Sequence, residues 1–176
     1  MALREVLQFP DPRLKLVARP IDEITEEIRQ LAADMIEVMY DEPGIGLAAP
    51  QVGASVRMFV IDTEWSDEEV GRNPRVVINP VISEREGRIT WEEGCLSVPD
   101  YSATVERDAK ILLRGLDLDG NPIEERAEGL RAVCIQHEVD HLDGILFIDR
   151  ISRLKRSLYV KKRRKQLAEE STARQA

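Results

Sequence analysis

A chain of 176 residues with 43% hydrophobic and 33% charged residues is expected to fold as one domain around a single core. No apolar run reaches the length of a membrane span, and two cysteines, Cys95 and Cys134, are too few for a disulfide framework, so membrane-embedded and disulfide-stapled classes are excluded. The formal net charge of −8 is unevenly placed: residues 1–152 hold 16 Lys/Arg against 31 Asp/Glu, whereas residues 153–165 hold 8 basic residues and no acidic one. The acidic body repels nucleic acid, which argues against a DNA partner, while the short basic segment can still dock on a polyanion.

The start, Met1-Ala2-Leu3-Arg4-Glu5-Val6, has no apolar signal region, so a cytoplasmic location is expected, with both cysteines as thiols. Residues 6–17, broken by Pro10 and Pro12, read as an extended arm. Thr25 is a natural N-cap with Glu26 and Glu27 behind it. Ile28, Leu31, Ala32, Met35 and Met39 then recur at helical spacing, predicting a helix that stops before Pro43-Gly44. Gly44-Ile45-Gly46-Leu47-Ala48-Ala49-Pro50-Gln51 reads as a glycine-hinged loop. Residues 57–62 and 75–82 are strand-like runs, joined by a polar, acidic surface loop at 63–74. Residues 84–93 predict a hairpin turning near Glu86-Gly87. Residues 110–116 and 122–127 flank Asp119-Gly120, a second turn signal.

Residues 130–142 are apolar nearly all round, which marks a buried helix, with Gly144 as its C-terminal stop. Ser152 caps a last helix from 153 to about 170, with Leu154, Leu158 and Leu167 on its inner side. The expected fold class is therefore α+β: antiparallel strands packed around a central buried helix, flanked by an N-terminal and a C-terminal helix. Residues 1–152 form the catalytic domain in this reading, and 153–176 a basic helix packed on it or extending from it.

The buried helix carries the chemistry. Gln136-His137-Glu138-Val139-Asp140-His141 contains the only two histidines of the chain. Positions i and i+4 share a helix face, so both imidazoles can reach one ion. Glu138 is rotated by roughly 100° from His137, which sets its carboxylate beside the ion, where it can hold water. This is the H-E-x-x-H arrangement of metal-assisted hydrolysis. Such a site wants three protein ligands and one open position. The third is either a downstream carboxylate (Asp143, Asp149, Glu169 or Glu170) or the thiolate of Cys95, which follows a glycine and suits a borderline divalent ion.

Three segments together resemble the peptide deformylase family, in its bacterial type: Gly44 to Gln51, Glu93-Gly94-Cys95-Leu96-Ser97, and Gln136 through Gly144, in the family's order and at comparable spacings. The resemblance implies removal of the formyl group from N-formylmethionine on newly made polypeptides. It implies Cys95, His137 and His141 as metal ligands, Glu138 as general base, and the Gln51 side-chain amide with the Leu96 backbone N–H as oxyanion donors. It also implies that Gly46 approaches the substrate backbone. Ferrous iron is the implied metal, with zinc, nickel or cobalt able to occupy the site. Ile45, Trp91 and Val133 are expected to wall the methionine pocket, and Cys134 to be core packing. Many relatives carry arginine where this chain has Ser102, which leaves its preference beyond methionine open. The basic tail is either a solvated face or, as the resemblance implies, a dock on ribosomal RNA.

Overall fold

The computed structural model describes residues 4–176. Among them, five strands form one antiparallel sheet in sequential order, β1 (Gly46–Ala48), β2 (Met58–Ile61), β3 (Arg75–Cys95), β4 (Val98–Leu116) and β5 (Pro122–Glu128). Three helices accompany it: α1 (Glu26–Asp41), α2 (Gly129–Leu142) and α3 (Arg153–Gln175). The class is α+β.

The short β2, Met58-Phe59-Val60-Ile61, is buried at every position, as a strand covered on both faces must be. Its two faces feed different cores. Met58 and Val60 pack with Leu31, Met35, Val38 and Met39 of α1. Phe59 and Ile61 pack with Ala132, Ile135 and Leu142 of α2, together with Val77, Ile111 and Leu113. The period-2 alternation of one strand thus ties both helices to the sheet. A third cluster joins Phe9, Val98, Val105, Leu146, Phe147 and Tyr159, packing α3 against the far end of β4.

Thr25 caps α1 by accepting from the Ile28 N–H, and Ser152 caps α3 by accepting from the Lys155 N–H. Each satisfies an N–H group that has no partner within its helix. Asp117 and Gly120 (φ +79°) build the turn between β4 and β5.

Four expectations are corrected. The turn signal at Glu86-Gly87 does not close a hairpin. β3 runs on to Cys95; a bulge at Glu84 (φ +48°) and Arg85 shifts the pairing between Ser83 and Glu86, and Gly87 lies just beyond it in the regular ladder, between the Glu86–Lys110 and Arg88–Asp108 pairs. The reversal falls instead at Leu96-Ser97, flanked by the Cys95–Val98 pair. The glycine-hinged segment includes strand β1 and a 3-10 turn, Ala49–Val52. Residues 6–17 are not extended throughout, since Pro12–Lys15 forms a 3-10 turn capped by Asp11. On α3, Leu154 and Leu158 are exposed, and Tyr159 and Arg163 are the residues turned inward. Tyr159 sits 4.8 Å from the Tyr101 ring and 5.9 Å from Phe9, an aromatic contact the leucine spacing conceals.

Candidate active site

His137 and His141 stand one turn apart on α2 with ring centroids 4.9 Å from each other. The end of β3 carries Cys95 to the same place. Cys95 Sγ lies 3.3 Å from His141 Nε2, which lies 3.2 Å from His137 Nε2. All three donor atoms fall within 4.8 Å of one another. Donors held on one ion by bonds of about 2.0–2.1 Å to nitrogen and about 2.3 Å to sulfur, at tetrahedral angles, stand roughly 3.3–3.6 Å apart. The three side chains therefore fit a divalent ion with little movement.

The electrostatics agree. Burial pushes the pKa of the His137 imidazole down, but hydrogen bonding to Cys95 and Glu93 outweighs it and raises the group well above its usual range. His141 moves the other way, held well below its usual range by burial and by the charge on His137.

The ring of His137 is fixed from behind, with its Nδ1 2.7 Å from Glu93 Oε1. A carboxylate in that position accepts a hydrogen bond from Nδ1–H, which keeps the proton on Nδ1 and leaves Nε2 free to ligate. Glu93 receives a two-point fork from Arg107, Nε and Nη2 each at 2.8 Å, and Arg107 Nη1 reaches Asp140 at 2.6 Å. Burial alone would raise the Glu93 carboxyl, but the Arg107 and His137 hydrogen bonds and the Arg107 charge hold it at about 2. Sequence reading missed this network. Its signal was Arg107 itself, the charged member of the inward series Ala103, Val105, Arg107 on β4.

Glu138 is 3% exposed, and its Oε2 is buried without a hydrogen-bond partner. Burial, the largest influence, raises its carboxyl to about 7. A carboxyl poised there can exchange protons near neutrality. Gly46 explains how Glu138 is packed: a Cβ on Gly46 would stand 2.6 Å from Glu138 Oε1 and 2.9 Å from Cys134 Sγ. Cys134 is buried, its thiol directed at the Ile45 carbonyl at 3.8 Å.

Gln51 is 2% exposed. Its Oε1 accepts from the Ala48 N–H at 2.9 Å, which orients the amide so that Nε2 donates to Ser97 Oγ at 3.1 Å and faces Cys95 Sγ at 3.5 Å. A cleft of about 420 Å³ opens over this group. Ile45, Gly46, Gln51, Trp91, Cys95, Leu96, Val133, His137 and Glu138 all line it, along with Leu130 and Cys134. His141 is the one nominated residue absent from the wall, buried beneath the floor at 1% exposure. The downstream carboxylates lie elsewhere. Asp143 pairs with Arg57 at 3.0 Å, Asp149 with Arg156 at 3.1 Å, and Glu169 and Glu170 are exposed on α3. Ser102, opposite Gly94 in the β3–β4 ladder, donates to Glu92 Oε1 at 2.8 Å. The arrangement joins three donor atoms suited to a divalent ion, a neutral-range carboxyl, a hydrogen-bonded amide and an apolar cleft, which is equipment for hydrolysing an amide or ester.

The chain is similar to known proteins over most of its length. Residues 3–157 match the family model described as polypeptide deformylase. A peptide deformylase of Bradyrhizobium diazoefficiens is 54% identical over 165 residues, covering 92% of this chain and 95% of its own. The crystal structure of a Legionella pneumophila peptide deformylase superposes with a TM-score of 0.88 at 42% identity, over 97% of this chain and 98% of that one. A Met-Ala-Ser-bound class I type b peptide deformylase of Acinetobacter baumannii superposes with a TM-score of 0.78 at 37% identity, over 85% and 99% respectively.

Proposed function

Because the chain belongs to the polypeptide deformylase family, we propose that it frees newly made polypeptides of their N-formyl group, releasing formate, by a route set by the side chains of the cleft. The chain is a metal-dependent hydrolase of the peptide deformylase kind. The observation that carries the detailed reading is the convergence of Cys95 Sγ with the two histidine Nε2 atoms within 4.8 Å, beside the buried Glu138.

Cys95, His137 and His141 would hold the ion, and α2 would serve as the central helix of the fold. A bound divalent ion supplies Lewis acidity at an open coordination position. Ferrous iron is our assignment. Zinc, nickel and cobalt suit the same donors, and iron's use would reflect supply and reactivity rather than affinity. Glu138 acts as general base, taking a proton from water and returning it to the departing amine. The oxyanion that develops on the formyl oxygen is met by Gln51 Nε2 and the Leu96 N–H, donors aimed before the reaction begins. Ala48 N–H supports this role by holding Gln51 Oε1, so the amide presents its NH2 end.

The substrate lies extended along the cleft with its backbone near Gly46. The methionine side chain enters between Ile45, Trp91 and Val133, three apolar walls of the 420 Å³ cleft. Met-Ala-Ser, the peptide bound by the Acinetobacter relative, is a deformylated product of the expected form. Residues 1–152 act as the catalytic unit, with the helix of residues 153–176 packed on it through Tyr159 and Arg163. The outer side of that helix, with Lys161, Lys162, Arg164 and Lys165 exposed, is proposed to dock on ribosomal RNA in the cytoplasm.

Formate release from formyl-Met-Ala-Ser by protein loaded anaerobically with ferrous iron tests this reading. A fully metallated sample without activity overturns it in favour of a non-catalytic metal-binding relative.

A further inference from the structure

The buried charges behind the metal site do not end at Arg107. Asp140, between the two histidines on α2, accepts from Arg107 Nη1 and also from Arg150, whose Nη2 lies 2.6 Å from Asp140 Oδ1 and whose Nε bonds Oδ2. Arg150 closes the 3-10 turn Phe147–Asp149 after α2 and lies outside every motif of the sequence. Its side chain is 41% exposed, against 9% for Asp140, 3% for Arg107 and 4% for Glu93. A chain of charges therefore runs from the surface to the imidazole: Arg150, Asp140, Arg107, Glu93, His137.

We infer that Arg150 is a positioning residue for His137, setting the orientation of that ring through Asp140, Arg107 and Glu93. The inference rests on the reading that Cys95, His137 and His141 hold a divalent ion. With His137 neutral, as a metal ligand is, the two guanidinium groups and two carboxylates balance one another. Without Arg150 it carries an uncompensated buried negative charge, an unfavourable state. Asp140 then has one cation instead of two and draws Arg107 toward itself. Arg107 is the group that pins Glu93 by two parallel bonds, and Glu93 is the partner of His137 Nδ1. A loosened fork frees the carboxylate and the ring it orients.

The bland role for Arg150 is to tie the Phe147–Asp149 turn to α2. That role alters thermal stability and leaves the ion's surroundings alone. Cobalt(II) separates the two. Its absorption reports ligand geometry, and its dissociation constant is measured by chelator competition on the full chain. Arg156→Met is the control, because Arg156 pairs with Asp149 of the same turn but not with the charge chain.

Arg150→Met is expected to weaken cobalt binding by about threefold to tenfold and to shift the visible bands. That is less than the tenfold to hundredfold typical of a group touching the ligand itself. Arg150→Lys, which keeps the charge and loses the paired bonds, is expected to fall between Met and wild type, and it carries the comparison should the Met variant fold poorly. A cobalt spectrum and affinity in both Arg150 variants equal to those of Arg156→Met overturn the inference while wild type still binds cobalt. Failure of wild type to take up cobalt overturns the underlying site as well.

Discussion

Gly46 lies so close to Glu138 that no side chain fits between them: a Cβ at position 46 would stand 2.6 Å from Glu138 Oε1. The requirement for glycine here is one of space, since the nearest atoms belong to the buried carboxyl and to Cys134 Sγ at 2.9 Å. Gly46→Ala should displace the Glu138 carboxylate, lower stability by about 1–3 kcal/mol and reduce kcat more than it raises KM. Steady-state kinetics alongside denaturant melts check this, and unchanged kcat would mean that Glu138 tolerates the shift.

Glu138 pays for its setting in stability. Its folded-state pKa of about 7 lies above the ordinary 4.5, so the folded metal-free chain binds more protons than the unfolded chain between those values. The contribution of this group to stability is therefore greatest below pH 4.5 and is lost as pH rises through 7. Glu138→Gln mimics the protonated group. The metal-free variant should exceed metal-free wild type by about 3 kcal/mol at pH 8, with no advantage at pH 4.5, and the metal-loaded variant should lose activity. Equal stability of the two chains at pH 8 would contradict the raised pKa.

Cys95→Ala removes the one sulfur donor. Zinc or cobalt affinity should fall by more than about 100-fold, beyond the loss typical of groups that only support a ligand. Retention of one tightly bound ion, measured by competition with a chelator, would point to a carboxylate as third ligand after all.

Gln51→Glu preserves the acceptor for the Ala48 N–H and removes the Nε2 donor. The expected result is a kcat lower by about 10²–10³ with KM little changed, the signature of an interaction made in the transition state. A rise in KM alone would reassign Gln51 to substrate binding.

Deleting residues 153–176 is a poor test of docking, because Tyr159 is buried and Arg163 donates to the Phe9 carbonyl at 3.0 Å. Changing Lys161, Lys162, Arg164 and Lys165 to serine leaves those anchors in place. Cosedimentation with ribosomes should then fall, and the dependence of binding on salt should flatten. Wild-type cosedimentation by the fourfold variant would remove the ribosome from the proposal.

Local rules made much of this fold readable. Helical spacing and a threonine cap located α1, and i,i+4 spacing put both imidazoles on one face of α2. What escaped depended on pairing at a distance. Gly87 looks like a turn in isolation, but β4 is long enough to pair across it, with Arg88 opposite Asp108 and Trp91 opposite Val105, so the glycine is held inside a continuous ladder just past the bulge at Glu84 and Arg85. Leu154 and Leu158 look like an inner face until Tyr159 and Arg163 find Tyr101 and the Phe9 carbonyl, which turns the leucines outward. Trp91, Cys95 and Gln51 meet through strand reversal and a 3-10 turn, which no single periodicity records.

The inward hold on α3 ends well short of its last turn. Residues 168–176 are exposed at every position, a helical spur of roughly 12 Å beyond Leu167. A dye, an affinity handle or a surface linker attached at its tip would meet solvent on all sides, so immobilised enzyme can be made at that end without disturbing the cleft.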